Sequence, residues 1–276
     1  MRTNFYELLA QQKFDAYTEF NTLWYLFAEE EKIWYHYGSY SMKEFVDKEY
    51  FRELLFRGSF ASISEMMSAL GILRRSQINI EHLLLFSEFL IAVLPDIDLK
   101  MVPDFGKQKK TIMGNIQHIL ERTNHEIRRD DENHKIIVEK NKRTTLAVEL
   151  VTEPATAFEL IEYNHFAIKG HLDEKRKLLT SIANYIEPII RSKALQKAGY
   201  QSLQSDAGFV FNNFHIRHNN KEGAKKQDYI ASLKDKELEE WYDNAYEIAL
   251  SVIIINDYLS IGSEIADVKS KYTWRT

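Results

Sequence analysis

The sequence predicts a mainly α-helical protein, a multi-helix bundle with one central β-hairpin at about residues 134–151. Three observations carry this. Breakers are rare: 276 residues hold 10 Gly and 4 Pro, the prolines at positions 95, 103, 154 and 188. Such scarcity suits long helices better than a many-turned β fold. Apolar residues recur at helical spacing along most of the chain, and several of these stretches open on a capping residue. Only one segment is dense in β-branched residues around a short polar turn.

The elements follow in order. Residues 12–35 form an expected helix with an aromatic face of Phe14, Tyr17, Phe20, Trp24 and Phe27. Ser41 and Glu44 have capping-box spacing and should open a helix to about Phe56, with Gly58 as its stop. Ser62–Leu70 reads as a helical segment ended by Gly71. Asn79 or its neighbours should start an apolar helix through Leu94, closed by Pro95. After the turn around residues 95–103, Ile112, Ile116, Ile119, Leu120 and Ile127 mark a helix over 107–129. The hairpin should pair 134–140 with 144–151 across Asn141–Arg143. Pro154 suits the first turn of a helix reaching Lys169, with Gly170 beyond it. Asp173 should cap a helix to about Ala198 that Pro188 kinks or splits, with Gly199 as its end. Leu203–Ile216 follows, then a polar loop over 219–227. Lys236–Ser260 closes the series with Leu238, Trp241, Tyr242, Ala245, Ile248, Ala249 and Val252 inward. Two regions are expected, 1–100 and 101–276.

Apolar residues make up 45% of the chain, ample for a core. The net charge of −5 argues against a general DNA binder, which normally carries a basic surface. Local clusters remain at Lys107, Lys109 and Lys110, at Arg128–Arg129 and at Lys225–Lys226; solvated helix ends and loops account for them. There is no cysteine, which excludes disulfides and thiolate chemistry. The N-terminal residues lack an uninterrupted apolar core, so no signal peptide is expected. The longest apolar runs, Leu83–Leu94 and Ala249–Ile255, fall short of the roughly 20 residues of a membrane span. A soluble cytoplasmic protein without membrane attachment is the expectation.

The richest chemistry lies in Phe214–Lys221. On a continued helix His215 and His218 share a face. Arg217 offers a permanent charge and a bidentate donor suited to phosphate. Either histidine can exchange a proton near neutral pH. Asn219 and Asn220 could position a phosphate or a base edge. Together these groups supply what RNA cleavage by 2′-hydroxyl attack requires: a base, an acid and a cation for the phosphorane charge. The same residues also suit a helix C-terminus, with His215 and Arg217 on the last carbonyls and Asn219 or Asn220 left-handed at C′.

A long helix, a helix ending in Ile216-Arg217-His218-Asn219-Asn220, a polar loop and a final amphipathic helix together resemble the HEPN domain. The resemblance covers residues from about 155 to the end. That family is helical and common among bacterial toxins, abortive-infection proteins and CRISPR ribonucleases. Its motif is an arginine, a polar residue and a histidine four to six positions after the arginine. Arg217 matches the arginine and His218 the adjacent polar residue; positions 221–223 are Lys, Glu and Gly, so the distal histidine is unmatched. The resemblance implies an RNA-directed effector of a defence or toxin system, a metal-independent ribonuclease acting as a homodimer. Arg217, His218 and His215 are its catalytic candidates, and Asn219 and Asn220 its substrate-binding candidates. The alternative is a non-catalytic helical interaction or regulatory module.

Other constellations are weaker. Glu162 and His165, with His171, Asp173 and Glu174 nearby, have di-iron-like spacing, but a second Glu-x-x-His is missing. His118 and His125 would lie two turns apart on one helix face. No Gly-rich phosphate loop, Gly-x-Ser-x-Gly or His-Glu-x-x-His occurs, and neither metal nor cofactor is expected.

Overall fold

A computed structural model describes residues 14–29, 32–36, 38–54, 58–74, 77–95, 97, 99 and 102–272. Helix dominates, with two small antiparallel strand pairs, as a mainly α fold with a central hairpin requires. The chain divides into two compact units, Met1–Ile127 and Arg128–Thr276.

In the first unit, α1 (Ala16–Trp24) opens on Asp15, whose carboxylate accepts the Tyr17 and Thr18 amides. It passes into a π-turn at Tyr25–Glu29. The expected helix to residue 35 is therefore cut short; residues 12–13 and 30–31 lie outside the described set. Ile33–Tyr35 (β1) instead pairs with Gly38–Tyr40 (β2), in register Ile33 to Tyr40. A β-branched residue and two aromatics there favour strand. Of the expected aromatic face, Phe20 and Phe27 are buried, while Tyr17 is exposed.

Ser41 caps α2 (Met42–Glu49) with the complete capping box. α2 ends short of Phe56, and residues 55–57 are outside the described set. Ser62 caps α3 (Ile63–Ala69), and Asn79 caps α4 (Ile80–Val93). Gly71 takes positive φ just past α3, whereas Gly58, also at positive φ, lies nine residues beyond the end of α2 and does not stop it. Pro103 opens α5 (Pro103–Arg122), four residues before the expected start; its Ile112, Ile116, Ile119 and Leu120 are buried, but it stops at Arg122 rather than 129, and Ile127 is an exposed strand residue. The core of this unit packs Phe20 against Phe86 at 5.0 Å and Phe45 against Phe105 at 4.6 Å, both as tilted ring pairs.

The central hairpin pairs His125–Arg129 (β3) with Lys135–Glu139 (β4). Its turn is Asp130–His134, not Asn141–Arg143: Asn133 takes φ +68°, and Asp130 Oδ1 accepts the His134 amide at 2.7 Å. The expected second strand is a helix, α6 (Lys142–Leu150). Asn141 caps it by accepting the Arg143 and Thr144 amides. Its Thr144, Ala147, Val148 and Val151 then fall on one helical face, and that burial overrides their β propensity. β4 lies on its own unit, through a Val138–His165 bridge and the Glu139 amide on the Asn164 carbonyl.

Pro154 opens α7 (Pro154–Glu162), which stops seven residues before the expected Lys169, and a short 3-10 turn follows at Phe166–Ile168. α8 (Leu172–Arg191) has His171, not Asp173, at its N-cap; it carries Pro188 inside its last turn and ends at Arg191 rather than near Ala198. A left-handed Lys193 leads into α9 (Ala194–Lys197), and Gly199 at φ +93° ends it. α10 (Gln201–Asn213), the short α11 (Asp228–Ser232) and α12 (Asp235–Lys271) complete the bundle. α12 packs on α6, α8 and α10 and buries Leu238, Tyr242, Ala245, Tyr246, Ala249, Leu250, Val252 and Ile253. Among the described residues it is the one helix long and apolar enough to cross a membrane, and 22% of its most apolar window is buried.

Candidate functional site

The polar cluster lies beyond α10, not on it. Phe214 leaves helical geometry at φ −100° and ψ 41°, and His215 takes the left-handed C′ position at φ +61°. Neither asparagine does. Phe214 and Ile216 are both buried, and Phe214 lies 4.1 Å from the Trp241 ring, centroid to centroid. The Ile216 carbonyl accepts from Arg176 Nε at 3.3 Å and Thr180 Oγ1 at 3.2 Å, both on α8. The Arg217 amide donates to the Phe211 carbonyl at 3.1 Å. Two apolar anchors two residues apart thus hold the segment in a non-helical path. His215 and His218 do not share a helix face.

His215 builds the loop. Its amide donates to Asn220 Oδ1 at 3.0 Å, and its Nδ1 accepts the Asn220 amide at 3.2 Å. Nδ1 is therefore the unprotonated nitrogen of a neutral ring. Burial, reinforced by the charges of Arg176 and Lys221, holds this imidazole below the usual histidine range. Asn220, 2% exposed, also donates to the Lys225 carbonyl and accepts the Gln227 amide. Asn219 Oδ1 accepts the Glu222 amide at 3.1 Å. The two asparagines expected to bind substrate shape the backbone of the loop, and His215 is engaged with one of them.

Arg217 and His218 turn the other way. Both line a cavity of about 350 Å³ between α8 and α10. Ala183, Ala207, Gly208 and Phe211 supply apolar wall; Glu187, Arg191 and Asn212 supply polar groups. Glu187 is clasped from both sides, one oxygen by Arg217 and the other by Arg191. The Arg217 hydrogen bond, against the opposing effect of burial and with help from Arg191, holds the Glu187 carboxyl below its ordinary range. Two guanidiniums against one carboxylate leave a net positive charge at the cavity, before any contribution from His218.

Sequence reasoning missed Glu187, Arg191, Gly208 and Asn212. The i, i+4 spacing of Glu187 and Arg191 on one helix was a visible signal for their pairing. No local pattern joins either of them to Arg217, 30 residues from Glu187 along the chain.

A second polar cluster is structural. Lys175, with a side chain 6% exposed, reaches Glu239 at 2.8 Å and Asp243 at 2.6 Å on α12. Tyr163 donates to Asp243 at 2.9 Å and stacks on Tyr246 at 4.2 Å. Burial, reinforced by Asp243, pushes the Tyr163 hydroxyl far above its ordinary range. Burial acts to raise Glu239, but the Lys175 and Gly170 hydrogen bonds outweigh it, and its carboxyl lies below the usual range.

The weaker constellations dissolve. His165 Nδ1 accepts the Ala167 amide at a 3-10 cap, and His171 is the N-cap residue of α8. His125 lies in β3, not on the helix of His118. Among the described residues no three His, Asp or Glu side chains gather as metal ligands would. No protein-family model, curated protein or solved structure matches the chain.

Proposed function

We propose that the second unit is a HEPN-like, RNA-directed effector that cleaves RNA without metal, of the kind found in bacterial defence or toxin systems and working as a homodimer in the cytoplasm. One observation carries this: Arg217 and His218, the two residues that match the family motif, line one cavity together with Arg191 and a surplus of positive charge. A phosphodiester entering there exchanges with Glu187 for the guanidinium donors of Arg217, whose side chain is 22% exposed, and of Arg191, 77% exposed. His218 accepts the 2′-hydroxyl proton, Arg217 and Arg191 stabilise the pentavalent phosphorane, and the 5′-oxygen leaves with a proton. The products are a 2′,3′-cyclic phosphate and a 5′-hydroxyl. His215 takes no part, because its Nδ1 is committed to Asn220. The second proton-transfer group is then His218 of a second copy, which is why the reading includes a dimer.

A specific observation favours a second reading, a non-catalytic interaction module. Glu187 bridges Arg217 to Arg191, so Arg217 has a structural partner. One experiment separates the two. Purified protein is incubated with total RNA in chelator, beside Arg217→Ala and His218→Ala. Cleavage to cyclic-phosphate ends by wild type, lost in both variants with little change in melting temperature, supports the effector. An RNA pattern identical for all three proteins would sink it, and a large melting-temperature drop in Arg217→Ala alone would assign Arg217 to the scaffold.

A further inference from the structure

α12 outlasts the core that it serves. Residues 260–272 are all exposed, about three turns of helix standing clear of the bundle. An isolated helix of that length is marginal in water, so its stability depends on something covering it. The exposed stretch is not uniformly polar. Tyr258 (62% exposed), Ile261 (47%), Ile265 (48%), Val268 (55%) and Tyr272 (70%) stand out from it. Their spacing is 3, 4, 3 and 4, the a and d positions of a heptad repeat. Ile254, the preceding d position, already packs against the core, so the seam begins at Tyr258. Val252–Ile255 and Leu259 likewise pack within the chain.

The remaining positions fit the same register. Beyond Leu259, a b position that packs within the chain, the outward b, c and f positions hold Ser260, Ser263, Ala266, Asp267 and Ser270, with no large apolar side chain. The flanking g and e positions include Glu264 and Lys269. In a parallel, in-register pair, a g residue faces the e residue five positions further along the other strand. Glu264 of each copy therefore meets Lys269 of the other, twice per dimer. A strand paired with itself finds opposite charges where the geometry needs them.

We propose that residues 258–272 form a parallel, in-register two-stranded coiled coil with a second copy of this chain. The seam is independent of the RNA chemistry and says only how two copies join. At little more than two heptads it is short for a self-standing coil, so the dimer dissociates on dilution.

The absence of cysteine allows a clean test on the full chain. Light scattering across a concentration series should show the mass climbing from 32.5 kDa toward twice that value. Ile265→Asp should hold the monomer mass at concentrations where wild type is dimeric, with an unchanged melting temperature in dilute solution. Under mild oxidation Val268→Cys, at a d position, should cross-link, whereas Ala266→Cys, at an outward position, should not. Glu264→Lys should weaken the dimer, and Glu264→Lys with Lys269→Glu should restore it. A wild-type mass of 32.5 kDa at every concentration overturns the proposal, as do equal cross-linking at 266 and 268 or a charge swap without recovery. Flotation of a monomeric wild type with phosphatidylglycerol vesicles, abolished by Ile265→Asp, assigns the stripe to a membrane surface and equally overturns it. A dimer sealed through Val268→Cys that cuts no RNA keeps the seam and removes only the ribonuclease reading.

Discussion

Lys175→Met tests how the second unit is held together. Lys175 is buried on α8 between Glu239 and Asp243 of α12, two anions of unequal exposure: Glu239 is 19% exposed at its side chain and Asp243 is 53%. Methionine keeps most of the buried methylenes, so apolar burial changes little and the loss is electrostatic. Asp243 can turn to water. Glu239 cannot turn as easily, and it retains the Gly170 amide at 2.6 Å and the charge of Lys169. Removing one partner of a buried pair typically costs about 3–5 kcal/mol, and the exposure of Asp243 places this case near 3. For a unit of this size about 3 kcal/mol lowers the melting temperature by about 6–12 °C. Thermal unfolding followed by near-ultraviolet circular dichroism measures it. Glu239→Gln in the same chain should recover part of the loss, since the uncompensated charge is gone. The pH dependence has a definite sign. A carboxyl depressed in the fold contributes stability that is full above its ordinary value of 4.5 and disappears as pH falls through its folded value. Lys175→Met removes the main cause of the depression, so the acid-side slope should flatten. A loss below about 1 kcal/mol, the range of exposed pairs, would refute the view of Lys175 as the charged tie between the two helices.

Gly208 lies in the interior of α10 and lines the cavity, and a Cβ built there meets no atom within 4 Å. Gly208→Met should therefore stabilise the helix by about 0.5–1 kcal/mol while its side chain narrows the cavity. Rising melting temperature with lost RNA cleavage is the expected pair of readouts, and undiminished cleavage would exclude the cavity as the site. Burial raises the Glu159 carboxyl against a lowering hydrogen bond from Ser181, with repulsion from Glu162 and Glu153 adding to the rise, and its Oε2 is buried without a hydrogen-bond partner. Such a group penalises folding above its folded value and not below 4.5. Glu159→Gln should accordingly raise stability at pH 7, with the gain shrinking on acidification; a gain that is constant with pH would contradict this.

The helices of the first unit were legible where the backbone is governed by local chemistry. Ser41 with Glu44, Ser62 and Asn79 each satisfy amides at a helix start, and they do so whatever packs above them; Pro103, read as the end of a turn, opens a helix as well. The misplaced hairpin shows the limit. Thr144-Thr-Leu-Ala-Val-Glu-Leu-Val has strand composition, but Thr144, Ala147, Val148 and Val151 also fit one helical face, and Tyr246 waits at 2.8 Å for the Thr144 hydroxyl. That partner is 102 residues away, beyond the reach of a local pattern. Conversely the helix expected over 107–129 ran into this turn, although Asp130, whose side chain accepts the His134 amide, and a left-handed Asn133 are turn chemistry.

The candidate site was half legible for a related reason. Arg217 and His218 were found because their chemistry is unusual in combination, yet the geometry assigned to them rested on a helix period that stops at Asn213. The alternation Phe214, His215, Ile216, Arg217 carried the contrary signal: apolar and polar residues alternate with period 2. That period turns Phe214 and Ile216 into the core; the left-handed His215 then breaks it, tying its own ring to Asn220 while Arg217 reaches Glu187 on α8. The partition decides the chemistry. One histidine is locked as a neutral acceptor, and the other is left at a cavity with two guanidiniums. A ribonuclease built on one such cavity lacks its second proton-transfer group, so catalysis requires dimerisation, whereas the dimer can stand without catalysis. The seam at residues 258–272 offers dimerisation a physical route that owes nothing to the cavity. If Ile265→Asp abolishes both the dimer and RNA cleavage while His218→Ala abolishes only cleavage, the two surfaces belong to one machine.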